Sequence, residues 1–275
     1  DRKTHTQKCA IYGTIMSLST GTRRFVIARF PAASFATSAD SAGGDPACTL
    51  CGGTHSAIIH AEASHHYRRC THCRLVWQSP SSSYLTPAEE VARYRTHENS
   101  PLDAGYRNFL APLANAIATK VAPGARGLDF GCGPGPTLST LLEERGLPSC
   151  VNYDPFFFPD GLNDDSERGA PFDYVVTSEV VEHLYDPREV FERITTTLLA
   201  PGGWLGIMTS RVANDDATSE HRCPGDADFP AWWYHKDPTH VTFYAPESLK
   251  YAANMFGWDR LELPSRSIAL ARRKR

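Results

Sequence analysis

No apolar run in this chain approaches the roughly 18 to 20 residues that a membrane-spanning helix needs. Its longest stretches, such as Val175-Val176 and Ile207-Met208, are the length of buried strands, so no membrane span is expected. A strong charge of either sign is also missing. The net charge is −3, and because the first 39 residues carry +5, residues 40–275 carry −8. An acidic body disfavours broad electrostatic binding to nucleic acid. The basic run Ala271-Arg-Arg-Lys-Arg275 reads as a solvated tail, with a local nucleic-acid patch as its alternative. Acids are absent altogether from residues 16–39, which hold arginines among many Ser, Thr and Ala. That composition is the one found in organelle transit peptides, and its arginines interrupt the apolar core a secretory signal would need. A mitochondrial address is the first expectation, with a plastid or the cytoplasm as alternatives and a merely disordered tail as the plain reading of residues 1–45.

What is present begins with cysteine. Of eight cysteines, Cys48, Cys51, Cys70 and Cys73 form two C-x-x-C pairs with eighteen residues between them. Two tight turns that each offer two thiolates complete a tetrahedron around zinc, and this spacing lies in the range for such sites. Gly52-Gly53 lets the backbone turn its amides toward sulfur. The alternating stretches Ala57–His60 and His66–Arg69 read as a hairpin, giving a small zinc ribbon over 46–82. Four thiolates close the coordination shell, so the zinc would be structural, and its loss should loosen the ribbon alone. Two disulfides are the competing account. His55, His60, His65, His66 and His72 lie near enough to be alternative ligands but are read as surface histidines, Cys132 and Cys150 as apolar fillers, and Cys9 and Cys223 as unpaired thiols.

Pro80-Ser-Ser-Ser83 marks a linker. Helices are expected over 87–98 and 103–121, making a helical cap over 83–125. From 126 to 275 strands and helices alternate: strands at 126–130, 150–154, 172–178 and 204–210, helices at 137–145, 187–199 and 246–256, and closing strands at 258–263 and 267–271. Such alternation predicts a doubly wound, mostly parallel sheet with its ligand at the carboxyl ends of the strands.

The glycine loop Leu128-Asp-Phe-Gly-Cys-Gly-Pro-Gly135 joins the first of these strands to a helix. A dinucleotide loop, G-x-G-x-x-G, would need glycine at 136, where the chain has proline. The acid-x-Gly-x-Gly-x-Gly form instead resembles the first motif of class I S-adenosylmethionine-dependent methyltransferases. Phe172–His183 and Leu199-Ala-Pro-Gly-Gly-Trp204 resemble the fourth-strand motif and the turn before the fifth strand in that superfamily.

The resemblance implies a Rossmann-like α/β methyltransferase fold, strand order 3-2-1-4-5-7-6, with S-adenosylmethionine as cofactor. Asp129 would organise the loop, and Gly131, Gly133 and Gly135 would close over methionine and ribose. Asp154 would accept hydrogen bonds from both ribose hydroxyls, with Ser178 and Glu179 completing the cofactor site. Only seventeen residues lie between Asp154 and Phe172, too few for the usual helix and third strand, so that strand should be reduced or absent. Phe156, Phe157 and Phe158 would then wall the adenine, with Asp164 and Asp165 as unanchored contacts.

Glu179, Glu182 and His183 would share one face of a helical turn. They resemble the E-x-x-E-H metal motif of ubiquinone-pathway O-methyltransferases and small-RNA 2′-O-methyltransferases, so a divalent ion such as magnesium is one reading and cofactor-site scaffolding the other. The aromatic segment 232–244, with Asp237-Pro238 as its turn, is expected to be an acceptor lid in which Trp232, Trp233 and Phe243 cover the acceptor; core packing of the two tryptophans is the alternative. His240 and His183 are the candidate catalytic bases. The layout also resembles deoxysugar C-methyltransferases with N-terminal zinc cysteines, which favours a small-molecule acceptor. An RNA or protein acceptor comes second, and a non-catalytic assembly factor that keeps the fold is the rival.

Overall fold

The computed structural model describes residues 45–96, 99–162, 171–213 and 224–275. The transit-peptide reading of the N-terminus, Cys9, Cys223, Asp164 and Asp165 lie outside them.

Among the described residues, ten strands form two sheets. The N-terminal sheet contains β1 (Ser56–Ala61), β2 (His66–Cys70) and β3 (Val76–Ser79), and β1 and β2 form the expected antiparallel hairpin. Its fourth strand comes from the other end of the chain: β3 pairs with β8 (Thr242–Phe243), matching Val76 with Phe243 and Trp77 with Thr242. The ribbon is therefore stitched into the body rather than joined to it by a linker.

The larger sheet contains β4 (Gly127–Phe130), β5 (Cys150–Tyr153), β6 (Phe172–Ser178), β7 (Leu199–Met208), β9 (Trp258–Glu262) and β10 (Ile268–Arg273), in the order β5-β4-β6-β7-β10-β9. The first four are parallel, and β10 runs antiparallel to both β7 and β9. This is the expected order without its third strand: among the described residues nothing pairs on the outer edge of β5. Side chains alternate across the sheet with the period of two that strands impose. Tyr174, Val176, Trp204 and Met208 meet α2 (Ala104–Ala118) and α3 (Thr137–Glu143) on one face. On the other face Val175, Leu205 and Ile207 meet α4 (Pro187–Arg193) and α5 (Pro246–Phe256). That second layer also takes in Cys48, Leu50, Cys70, Cys73, Leu75 and Trp77, so the ribbon shares a core with the α/β body.

Three expectations need correction. The helix expected over 87–98 is α1 (Pro87–Tyr94), started by a capping box in which Thr86 and Glu89 exchange hydrogen bonds. Pro201-Gly-Gly203 does not precede the strand. β7 already pairs at Leu199 with Phe172 and resumes at Trp204 opposite Tyr174, so the glycines form a bulge within it. The basic C-terminus is not a free tail. Arg272 lies in β10 with its Nε 2.8 Å from Asp259 Oδ1, and the Arg273 guanidinium donates to the Leu199 carbonyl.

Candidate active site

The carboxyl ends of β4, β5 and β6 open into a cavity of about 530 Å³. Asp129, Gly131, Gly133, Gly135, Asp154, Ser178, Glu179, His183 and His240 all line it.

The loop after β4 turns back at once, its Gly131 and Cys132 amides donating to the Tyr153 carbonyl at 2.7 and 3.1 Å. Gly131 has φ +82°, and a Cβ there would stand 2.5 Å from a Val180 methyl carbon. At Gly135 a Cβ would meet the Asn99 carbonyl oxygen at 1.7 Å. Both positions require glycine, one for its backbone conformation as well as the close approach.

Asp154, at the end of β5, is nearly buried. Its Oδ1 accepts from the Phe156 and Phe157 amides at 2.8 and 3.1 Å, and its Oδ2 from the Gly133 amide at 3.2 Å. The two lips of the loop are thereby joined. Burial pushes its carboxyl above the usual range despite these donors. Burial, and secondarily the Asp154 charge, push Asp129 up to about 7. Phe156 and Phe157 line the cavity as expected. Phe158 does not; it closes a turn with the Asp154 backbone instead.

Glu179, Glu182 and His183 do not share a helical face. Glu179 has φ +52° and Val180 is not helical, so the one turn of helix, Val181–His183, starts too late to align Glu179 with the others. Tyr234 gathers the two acids instead, its hydroxyl lying 2.6 Å from Glu182 Oε1 and 3.1 Å from Glu179 Oε2. The group that converges is Glu182, His183 and His240, whose ligand atoms lie within 4.8 Å of one another. His183 Nδ1 faces the Thr239 carbonyl at 2.9 Å, and His240 Nδ1 the Tyr234 carbonyl at 2.7 Å. A carbonyl can only accept, so in each neutral ring the lone pair is on Nε2. Burial, with His240 beside it, lowers His183 to about 4. Glu182 is wholly buried, its Oε2 has no hydrogen-bond partner among the described residues, and burial raises its carboxyl.

Sequence reasoning missed the cap's part in the cavity. Arg93, Tyr94 and Asn99, on and after α1, and Tyr106 and Phe109 on α2 contribute walls. Arg93 donates to Asp237 Oδ2 at 2.6 and 3.1 Å, while Asp237 Oδ1 accepts from the Thr239 amide and hydroxyl. Burial opposes its charge, but these donors hold the Asp237 carboxyl well below the usual carboxylate range. This anchored turn carries His240, whose amide donates to the Asp237 carbonyl at 3.0 Å. The lid reading is corrected in part: Trp233 is exposed and lines the cavity, whereas Trp232 and Phe243 pack with Tyr67 and Phe229.

Apart from this cavity, the four cysteines converge. Cys48 and Cys73 sulfurs are 3.5 Å apart, as are those of Cys51 and Cys70, and all four lie within 4.8 Å of one another. A disulfide needs about 2.05 Å, whereas the edge of a tetrahedron with 2.3 Å metal–sulfur arms is about 3.8 Å. The Gly53 amide points at Cys51 Sγ from 3.3 Å, as the Gly52-Gly53 pair suggests.

Among curated proteins, the ubiquinone biosynthesis O-methyltransferase of Caulobacter sp. (strain K31) is 36% identical over 109 residues, covering 31% of this chain and 41% of that protein. Its counterpart from Xanthomonas campestris pv. campestris (strain B100) is 32% identical over 114 residues, covering 34% and 46%. The chain thus spans less than half the length of these relatives. Among solved structures, an O-methyltransferase family protein from Burkholderia thailandensis matches with a TM-score of 0.42 at 16% identity, covering 66% of this chain and 62% of that one. A family model described as a methyltransferase domain matches residues 102–263, well over half of the chain and all of the cofactor cavity except its α1 edge. The chain belongs to this methyltransferase-domain family.

Proposed function

We propose that the chain methylates a hydroxyl group of a small aromatic molecule. The observation that carries this reading is the pair of imidazoles, His183 and His240, which line the cavity that holds the glycine loop, each with Nδ1 on a carbonyl and a ring nitrogen within 4.8 Å of Glu182. A hydroxyl oxygen is a weak nucleophile until its proton is removed, and a neutral imidazole within hydrogen-bond reach removes it. Tyr94, Tyr106, Phe109 and Trp233 suit a flat acceptor, and the curated relatives are named for O-methylation in ubiquinone biosynthesis.

The cofactor supplies an already reactive methyl group, so the protein's task is alignment. Asp154 would take the ribose hydroxyls on the lone pairs its backbone donors leave over, with Phe156 and Phe157 against the adenine. Asp129 and Glu179 would face the cofactor's positive charges. Asp154→Ala should weaken cofactor binding by about 1.5 to 3 kcal/mol, the scale of hydrogen bonds to a charged group. Calorimetry giving an unchanged affinity would remove the ribose assignment.

A second reading adds a divalent ion held by Glu182, His183 and His240. The buried Glu182 Oε2, which has no hydrogen-bond partner among the described residues, favours it. Two imidazoles and a carboxylate suit zinc or another first-row ion at least as well as magnesium, and such an ion would acidify the acceptor hydroxyl. Cys48, Cys51, Cys70 and Cys73 would hold a separate, structural zinc.

Radiolabelled methyl transfer to a panel of catechols and other phenols, beside organellar RNA and protein fractions, tests the acceptor class. Label on a phenolic oxygen is the expected result. Label confined to RNA or protein would replace the small-molecule reading, and bound cofactor with no transfer to any fraction would favour a non-catalytic role.

A further inference from the structure

Outside the methyl-transfer cavity, and outside the four cysteines, a third group of donor side chains meets where the ribbon hairpin touches the segment carrying His240. His60 is the penultimate residue of β1, Glu62 and His65 belong to its turn into β2, and His235 lies in the helical turn Trp233–Lys236. Glu62 Oε1 is 3.4 Å from His60 Nε2 and 3.7 Å from His235 Nε2, and its Oε2 is 3.9 Å from His65 Nε2. The ligand atoms of His60, Glu62 and His235 lie within 4.8 Å of one another.

Most of these separations are too long for good hydrogen bonds. They are close to the donor–donor edge of a tetrahedron with metal–ligand arms of 2.0 to 2.2 Å, which is about 3.3 to 3.6 Å. His235 is almost completely buried, and its Nδ1 donates to the Trp232 carbonyl at 2.7 Å. That is the arrangement by which a backbone carbonyl orients a metal-ligating imidazole, leaving the lone pair on Nε2. Tyr67 fixes the same turn through its hydroxyl on the His235 carbonyl, and Phe229 stacks on the His235 ring. His65 Nε2 is buried and has no hydrogen-bond partner among the described residues, and its Nδ1 is tied to Ser64 Oγ. A second cavity, of about 520 Å³, opens on this group.

We propose that His60, Glu62 and His235, with His65 as a fourth donor, form a binding site for a first-row transition cation, zinc foremost, which ties the ribbon hairpin to the segment carrying His240. Imidazoles with one carboxylate select such ions over magnesium or calcium, which prefer all-oxygen shells. The coupling to the methyl-transfer cavity is short. His235 is next to Tyr234, whose carbonyl holds His240 and whose hydroxyl joins Glu179 and Glu182, while Lys236 lines both cavities. An ion here would stiffen the wall between them without touching the acceptor.

The test uses the full chain, stripped of metal and titrated with Co²⁺, whose thiolate charge-transfer band reports the cysteines separately from nitrogen and oxygen sites. His60→Ala, near the end of β1, and Glu62→Gln, in the turn after it, should fold normally. Each is expected to bind one equivalent fewer than the parent chain, or to bind it more than about 100-fold more weakly, beyond the roughly 10- to 100-fold that loss of a merely orienting partner costs. The thiolate band should be unchanged, and Glu182→Gln should retain this equivalent. Zinc should also raise the melting temperature of the cobalt-free parent more than that of either variant. Equal stoichiometry and affinity in parent and variants would overturn the site and leave a histidine cluster paired only with Glu62. Because the readout is metal binding, it stands or falls independently of the acceptor.

Discussion

His240→Ala is expected to lower the single-turnover rate of methyl transfer by about 10² to 10⁴, the usual contribution of a positioned proton acceptor, with cofactor affinity nearly unchanged. The ring lines the cofactor cavity, its centroid 4.7 Å from that of His183 and 4.2 Å from that of Tyr234. Its orientation is held at both ends, by Nδ1 on the Tyr234 carbonyl and by the amide on Asp237 within the turn that Arg93 anchors. A residue that only packs would behave differently: its truncation would lower the melting temperature while the rate per folded molecule survived. Measuring the rate on a phenolic acceptor beside a melting curve separates the two. A chelator then divides the surviving possibilities. If the parent enzyme keeps its rate in chelator, the imidazole takes the proton unaided. If the rate falls to the level of the variant while the melting temperature and cofactor binding hold, and returns with a divalent ion, His240 acts with Glu182 and His183 as a ligand.

The parts of this site legible in the sequence are those made by neighbours along the chain. A strand, a glycine loop and a helix follow each other over Leu128–Thr137, and the acid ending the next strand is reached within one more turn of the fold, so Asp129, the three glycines and Asp154 could be placed from spacing and resemblance. The hairpin between the two cysteine pairs is legible for the same reason. What was not legible depends on long-range contacts or on a single dihedral. Arg93 reaches Asp237 across 144 residues, turning an apparent linker helix into a wall of the cavity. One positive φ at Glu179 removes that carboxylate from the face it would share with His183 on a helix, and His240 takes its place. The aromatic segment borders the cavity, but period and composition do not say which ring turns inward. Trp232 and Phe243 go to the core because β8 must pair with β3, leaving Trp233 to the cavity.

That same pairing changes what loss of the zinc proposed at the four cysteines should do. Taken as a separate ribbon, the module would loosen alone. Its cysteines, with Leu50, Leu75 and Trp77, instead belong to one buried cluster with Phe191 of α4, Leu249 of α5 and Leu205 of β7. Cys70→Ser, or removal of zinc under reducing conditions, is therefore expected to destabilise the whole chain by about 5 kcal/mol or more, part of the 10 to 16 that structural zinc contributes in small domains. Unfolding should remain a single transition at lower temperature, and cofactor binding should be lost along it, because β8 leads back to the turn that holds His240. Two well-separated transitions, with cofactor retained after the first, would restore the picture of an independent ribbon. Metal analysis that finds no zinc, with all four thiols oxidised on titration, would replace the metal by two disulfides, which the 3.5 Å sulfur separations could accommodate only after local rearrangement.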